Sequence, residues 1–102
     1  MAVMEISVVP IGTKEASVSK FVANALNILK DEKEIKYQLT AMGTIVEAES
    51  LDKLFDLAKR MHQSAFDKGA VRVLTDIKID DRCDKELSIE GKIKSVEEKS
   101  GL

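Results

Sequence analysis

An α+β fold, ordered β-α-β-β-α-β with an added C-terminal helix, is predicted by three observations on this 102-residue chain. Apolar residues alternate with period two in four short stretches. Helical-period stripes fill two longer stretches between them, and Gly or Ser residues punctuate the joins. The third observation is composition: 44% hydrophobic and 33% charged residues suit one domain spanning 1–102 and exclude a disordered chain. No apolar run approaches the ~18 residues that a membrane span needs.

The first strand covers residues 2–9, with Met4, Ile6 and Val8 on one face and Glu5 and Ser7 on the other. Pro10 and Gly12 are expected to end it in a turn. Ser17 is the expected N-cap of the first helix, whose stripe of Val18, Phe21, Val22, Ala25, Leu26 and Leu29 runs to the neighbourhood of Glu32. In the second strand Ile35, Tyr37, Leu39 and Ala41 alternate with Lys36, Gln38, Thr40 and Met42, and Gly43 supplies a tight turn or bulge.

The third strand, residues 44–48, has Thr44, Val46 and Ala48 on one face and Ile45 and Glu47 on the other. Ser50 caps a second helix striped by Leu51, Leu54, Phe55, Ala58, Met61, Ala65 and Phe66, and Gly69 closes it. The fourth strand spans 70–80 with Val71, Val73, Ile77 and Ile79 inward. Ile89, Ile93 and Val96 mark a short final helix with one apolar edge. Two right-handed β-α-β units of this kind interleave into an antiparallel sheet with both long helices on one face. That is the ferredoxin-like arrangement, in which strands 1 and 3 are central neighbours.

Several chemistries are excluded. Sixteen basic against eighteen acidic residues leave a net charge of −2, which argues against a nucleic-acid partner. The strands offer no aromatic platform for bases, since Phe21, Phe55 and Phe66 fall on helices and Tyr37 is expected to face the core. There is no C-x-x-C, and the loop PIGTKEAS has no arginine for a phosphate cradle. Neither a cofactor nor a metal is expected. His62 reads as a helix-edge residue touching the core or a neighbouring subunit, in preference to a catalytic base. The stretch IDDRCDKE reads as a capping and ion-pairing turn, since its spacing does not match a calcium loop. Cys83 has no partner in the chain and MAVMEISVVPIG lacks the marks of an export signal, so a reducing, cytoplasmic setting is expected, with no membrane.

The sheet face turned away from the helices carries the functional information. Alternation places Glu5, Ser7 and Val9 there, with Gln38, Thr40 and Met42, then Ile45, Glu47 and Glu49, then Arg72, Leu74, Asp76 and Lys78. Apolar and charged residues are mixed on it, as on a surface that packs against another subunit or lines a ligand pocket.

Four segments in this order, S-V-V-P-I-G, A-M-G-T-I-V-E, G-A-V-R-V and I-D-D-R-C-D-K, resemble the small thiamine-binding proteins related to YkoF. The resemblance covers nearly the whole chain. Its matching positions are Ser7, Pro10, Gly12, Met42, Gly43, Thr44, Glu47, Arg72, Arg82, Asp84 and Lys85. It implies a ferredoxin-like fold, a homo-oligomer (commonly a dimer of dimers), no catalysis, and binding of thiamine or its hydroxymethylpyrimidine half. Some relatives fuse two copies of the unit, whereas this chain has one, so pairing must come from assembly.

On that reading the ligand-binding residues are Ser7, Met42, Thr44, Ile45, Glu47 and Arg72. Glu47 is the expected polar anchor near strands 1 and 3, accepting from the pyrimidine amino group or donating to a ring nitrogen if protonated. Ser7 would add a second hydrogen bond, and Met42 and Ile45 would contact the rings. Thr44 points inward and would act through the Gly43 turn. A rival reading is a regulatory or structural module that binds a partner protein through the open face. A third, an enzyme with Glu47 as acid or base and Arg72 holding an anion, lacks a nucleophile–base pair and a metal constellation.

Overall fold

The computed structural model of the chain describes residues 1–101. Four strands, β1 (Ala2–Ile11), β2 (Lys36–Leu39), β3 (Thr44–Ala48) and β4 (Arg72–Asp80), alternate with α1 (Ser19–Lys30) and α2 (Leu51–Asp67), and α3 (Ile89–Ser100) follows. The sheet order is β2-β3-β1-β4 with every neighbouring pair antiparallel, the expected ferredoxin-like α+β arrangement. Met4, Ile6 and Val8 of β1 and Val46 and Ala48 of β3 meet Phe21, Ala25 and Leu29 of α1 and Leu54, Leu57 and Met61 of α2. The period-two and helical-period patterns therefore converge on one core between sheet and helices.

Local departures from the sequence pattern have physical reasons. Pro10 lies inside β1, buried, instead of ending it. It is tolerated because β3 stops opposite Ile6, leaving β1 as an edge on that side. Val18, not Ser17, is the N-cap of α1, and no side chain caps it; the Ser17 hydroxyl instead faces Ser19. Helix α1 ends at Lys30, and Glu34 adopts φ 63 to reverse the chain into β2. Tyr37 takes the helix-side phase, opposite Val46, but sits half-exposed on the edge strand and is not in the core.

The buried face of α2 is rotated from the expected stripe. Leu57 and Ser64 are buried on it, while Leu51, Phe55 and Phe66 are left half-exposed. Ser64 can be buried because its hydroxyl donates to Met61 O at 2.6 Å and its carbonyl accepts from Asn24 Nδ2 at 2.9 Å. Val71, expected inward, precedes β4 and is 92% exposed. Thr75 holds an inward position opposite Val8, and its hydroxyl is 2.6 Å from Nδ1 of His62 on α2.

Helix α3 lies on the other face of the sheet from α1 and α2. Its N-terminal end is tied down by Leu87 N–H donating to Met1 O, by Ser88 capping Gly91 N–H at 2.9 Å, and by a Lys92–Asp80 ion pair. The preceding segment is an ion-pairing turn, with Arg82 on Asp84. No described residue of α3 is buried. Among the described residues there is no cluster of metal-ligating side chains, and no helix is long and apolar enough to cross a membrane.

Candidate functional site

β1 loses one neighbour halfway along its length. Its ladder with β3 ends at Ile6↔Thr44, whereas its ladder with β4 continues to Ile11↔Arg72. From Ser7 onward β1 is paired on one side only, so main-chain N–H and C=O groups on its other edge face outward. Against that edge opens a cleft of about 290 Å³ walled by Ser7 and Val9, by Val18 and Val22, and by the β2–β3 turn that carries Met42. Its lining has no ionisable side chain and three hydroxyls, those of Ser7, Thr40 and Thr44.

Thr40 builds the turn. Its hydroxyl donates to Gly43 O at 2.7 Å and accepts from Met42 N and Gly43 N at 3.3 and 3.1 Å. A side chain at Gly43 would put Cβ 3.1 Å from Ile6 O, so glycine lets the turn close onto β1. The result presents Met42, 86% exposed, at the mouth of the cleft, with Thr44 buried beneath.

The six candidate residues do not form one cluster. Ser7, Met42 and Thr44 border the cleft. Ile45 stands opposite Glu5, and Glu47 opposite Val3, which is four rungs from Ser7, or roughly 13 Å. Arg72 stands opposite Ile11, eight rungs from Val3 and so roughly 27 Å along the sheet from the Glu47 rung. The expected joint action of Ser7 and Glu47 is therefore corrected by register: adjacent strands do not make adjacent side chains.

Glu47 is 3% exposed, and its Oε1 accepts from Ile89 N–H at 2.9 Å. Its carboxylate thus meets the positive end of α3, which compensates for burying the charge. Beside it, a groove of about 490 Å³ runs beneath α3, with Ile45, Glu5 and Lys78 on the sheet side and Ile89 and Ile93 on the helix side. Thr40 and Asp76, both expected on the open face, have places that alternation alone does not reveal: Thr40 builds the turn, a Thr three residues before Gly being a turn-forming signal, and Asp76 stands directly opposite Ser7.

Fold and cleft define a class: a small ferredoxin-like α+β domain with an uncharged cleft at an unpaired strand edge. Within it, the chain belongs to the thiamine-binding protein family, whose model matches residues 4–97. The UPF0045 protein YqgV of Bacillus subtilis is 46% identical over 99 residues, 94% of each chain. The crystal structure of the hypothetical protein MJ1052 from Methanocaldococcus jannaschii superposes with a TM-score of 0.83 at 38% identity, covering 93% of this chain and 94% of that one. A Thermotoga maritima protein whose name provisionally assigns it to thiamine biosynthesis or salvage gives a TM-score of 0.77 at 21% identity, over 93% and 97% of the two chains. At that identity the likeness is one of fold.

Proposed function

We propose that this chain binds thiamine or its hydroxymethylpyrimidine moiety, without catalysing a reaction, as a homo-oligomer in the cytoplasm. Family membership supports the ligand. The observation that carries the reading is the unpaired edge of β1 beside an uncharged cleft. An aminopyrimidine presents donors and acceptors along one edge and two flat apolar faces. The strand edge complements the former, with Ser7 Oγ adjoining, and Met42 and Val22 complement the latter. No charged side chain has to be stripped of water to admit a neutral ring.

The thiazolium carries a permanent positive charge and suits the open face, where Asp76 lies opposite Ser7. Ile45 lines the neighbouring groove, Glu47 acts by holding α3 over that groove, and Arg72 closes the far end of the face. With no ionisable group in the cleft to move a proton, a binding role is favoured over catalysis. An exposed Cys83 suits a reducing compartment.

Calorimetric titration with thiamine, thiamine phosphates and hydroxymethylpyrimidine tests the reading. Saturable heat with hydroxymethylpyrimidine and thiamine, weakened by Ser7→Ala, is the expected result. Absence of binding by all of them overturns it and leaves the open face as a docking surface for a partner protein.

A further inference from the structure

The groove beneath α3 is a second cavity, separate from the cleft beside Ser7. It holds about 490 Å³ between α3 and the helix's own sheet, whereas the cleft opens against α1 and the β2–β3 turn. Register places one rung of the sheet along its floor, read across all four strands. Gln38 on β2 opposes Ile45 on β3, Ile45 opposes Glu5 on β1, and Glu5 opposes Lys78 on β4. All four side chains line the groove, and Ile89 and Ile93 complete the lining from α3.

Two carboxylates, Glu5 and Asp80, and two ammonium groups, Lys78 and Lys92, line it, so the groove carries no net charge. The two pairs differ in state. Lys92 is closed on Asp80, and that contact helps to pin the helix. Glu5 and Lys78 face each other across neighbouring strands, about 5 Å apart at Cβ by antiparallel geometry. Neither has an ion-pair partner among the described residues. A free carboxylate and a free ammonium thus stand side by side at the end of an apolar trough.

That juxtaposition selects among ligands. A cation or an anion satisfies one of the two charges and is repelled by the other. An uncharged apolar molecule satisfies neither and strips water from both. A molecule with an ammonium and a carboxylate on the same carbon answers both at once, its ammonium on Glu5 and its carboxylate on Lys78. Its side chain then runs along the rung over Ile45, beneath Ile93, towards the Gln38 amide. Strands ~4.8 Å apart leave room there for a group of leucine or phenylalanine size. We infer that the groove binds an α-amino acid with a large apolar side chain, held by Glu5 and Lys78 and roofed by α3. This site does not depend on the thiamine-binding reading.

Titration of isotope-labelled protein with L-phenylalanine, followed through amide chemical shifts, tests the inference. Saturating shifts at Glu5, Lys78 and Ile93 are expected. Phenethylamine lacks the carboxylate and phenylpropionate lacks the ammonium, so each should bind at least about fivefold more weakly, the scale of one partly exposed ion pair. Glu5→Gln should abolish the preference for phenylalanine over phenylpropionate, and Lys78→Met its preference over phenethylamine. Both positions are exposed, so the core stays intact. The inference is overturned if phenylalanine and leucine give no saturable shifts in the groove, or if the three phenyl compounds bind equally well. It is also overturned by preferences that survive both substitutions, and by shifts confined to the cleft around Ser7 and Met42.

Discussion

At the scale of single residues, Glu47 and Asp76 are two carboxylates at separate places on the sheet, one opposite Val3 and the other opposite Ser7. Glu47 is buried and holds Ile89 N–H, so Glu47→Ala removes a charge-assisted bond and orphans a helix-end donor. A loss of about 1.5–3 kcal/mol in unfolding free energy is expected by urea titration, with faster amide exchange at the start of α3. Glu47→Gln keeps an acceptor, so it should lose less stability and leave thiamine affinity close to that of the parent. A tenfold or greater loss of affinity in Gln with unchanged stability would instead make Glu47 a direct ligand. Asp76 is the carboxylate opposite Ser7. Asp76→Asn should weaken thiamine about two- to fivefold, the scale of one exposed ion pair, and leave hydroxymethylpyrimidine unaffected. Calorimetry with both ligands separates the two.

Elements hold these residues in place, and two junctions are exposed to test. The β2–β3 turn depends on three bonds to Thr40 Oγ1. Thr40→Val keeps the shape but loses them, so Met42 should lose its fixed position and pyrimidine affinity should fall, while the core unfolds near the parent's midpoint. The α1–α2 junction depends on Glu32, whose carboxyl is held below the usual carboxylate range first by the hydrogen bond from Lys53, at 2.6 Å, and then by that from Arg60. A carboxyl lowered on folding stabilises above its unfolded value, ~4.3, and that contribution is lost as pH falls through its folded value. Glu32→Gln should therefore cost about 1 kcal/mol near neutral pH, with the gap from the parent closing in acid. A gap that persists below pH ~2 would show a loss unrelated to charge. The same scale shows what the sequence could reveal. β1 and β3 are central and buried on one face, so alternation marked their phases correctly. β4 is an edge: Val71 looked like part of its inward row yet lies outside the strand, and Thr75 is inward because His62 satisfies its hydroxyl. In α2 the apolar excess of Phe55 and Phe66 hid the true face, which a bonded Ser64 shares. The existence of α3 was legible from Ile89, Ile93 and Val96. Its place was not, because the tie is a carboxylate 42 residues away on β3. Register likewise decides which candidate residues meet, and no local pattern encodes it.

At the scale of the whole molecule, β4 pairs with β1 alone among the described residues, and its other edge is unpaired over nine residues. Such an edge is a template for another strand, and natural sequences usually blunt it. Here it is self-complementary instead. An antiparallel pairing with a second copy about a two-fold axis at Ile77 sets Ile77 against Ile77 and Thr75 against Ile79 on the helix side. On the open face it sets Asp76 against Lys78 twice. Moving the axis to Asp76 would oppose two aspartates, and moving it to Thr75 would oppose Arg72 and Lys78, both unfavourable. Pairing at Ile77 would also bring together the flanks of α2 that carry His62, Phe55 and Phe66, the last two half-exposed in the single chain. Joined to a second isologous interface, such an edge would close a dimer of dimers. Ile77 is partly exposed, so Ile77→Lys should leave the fold intact while placing two ammonium groups on the axis. Light scattering at micromolar concentration should return four times 11.3 kDa for the parent and half that mass for the variant. A parent that is itself monomeric, or an Ile77→Lys protein with the parent's mass, would show that β4 does not pair across this axis.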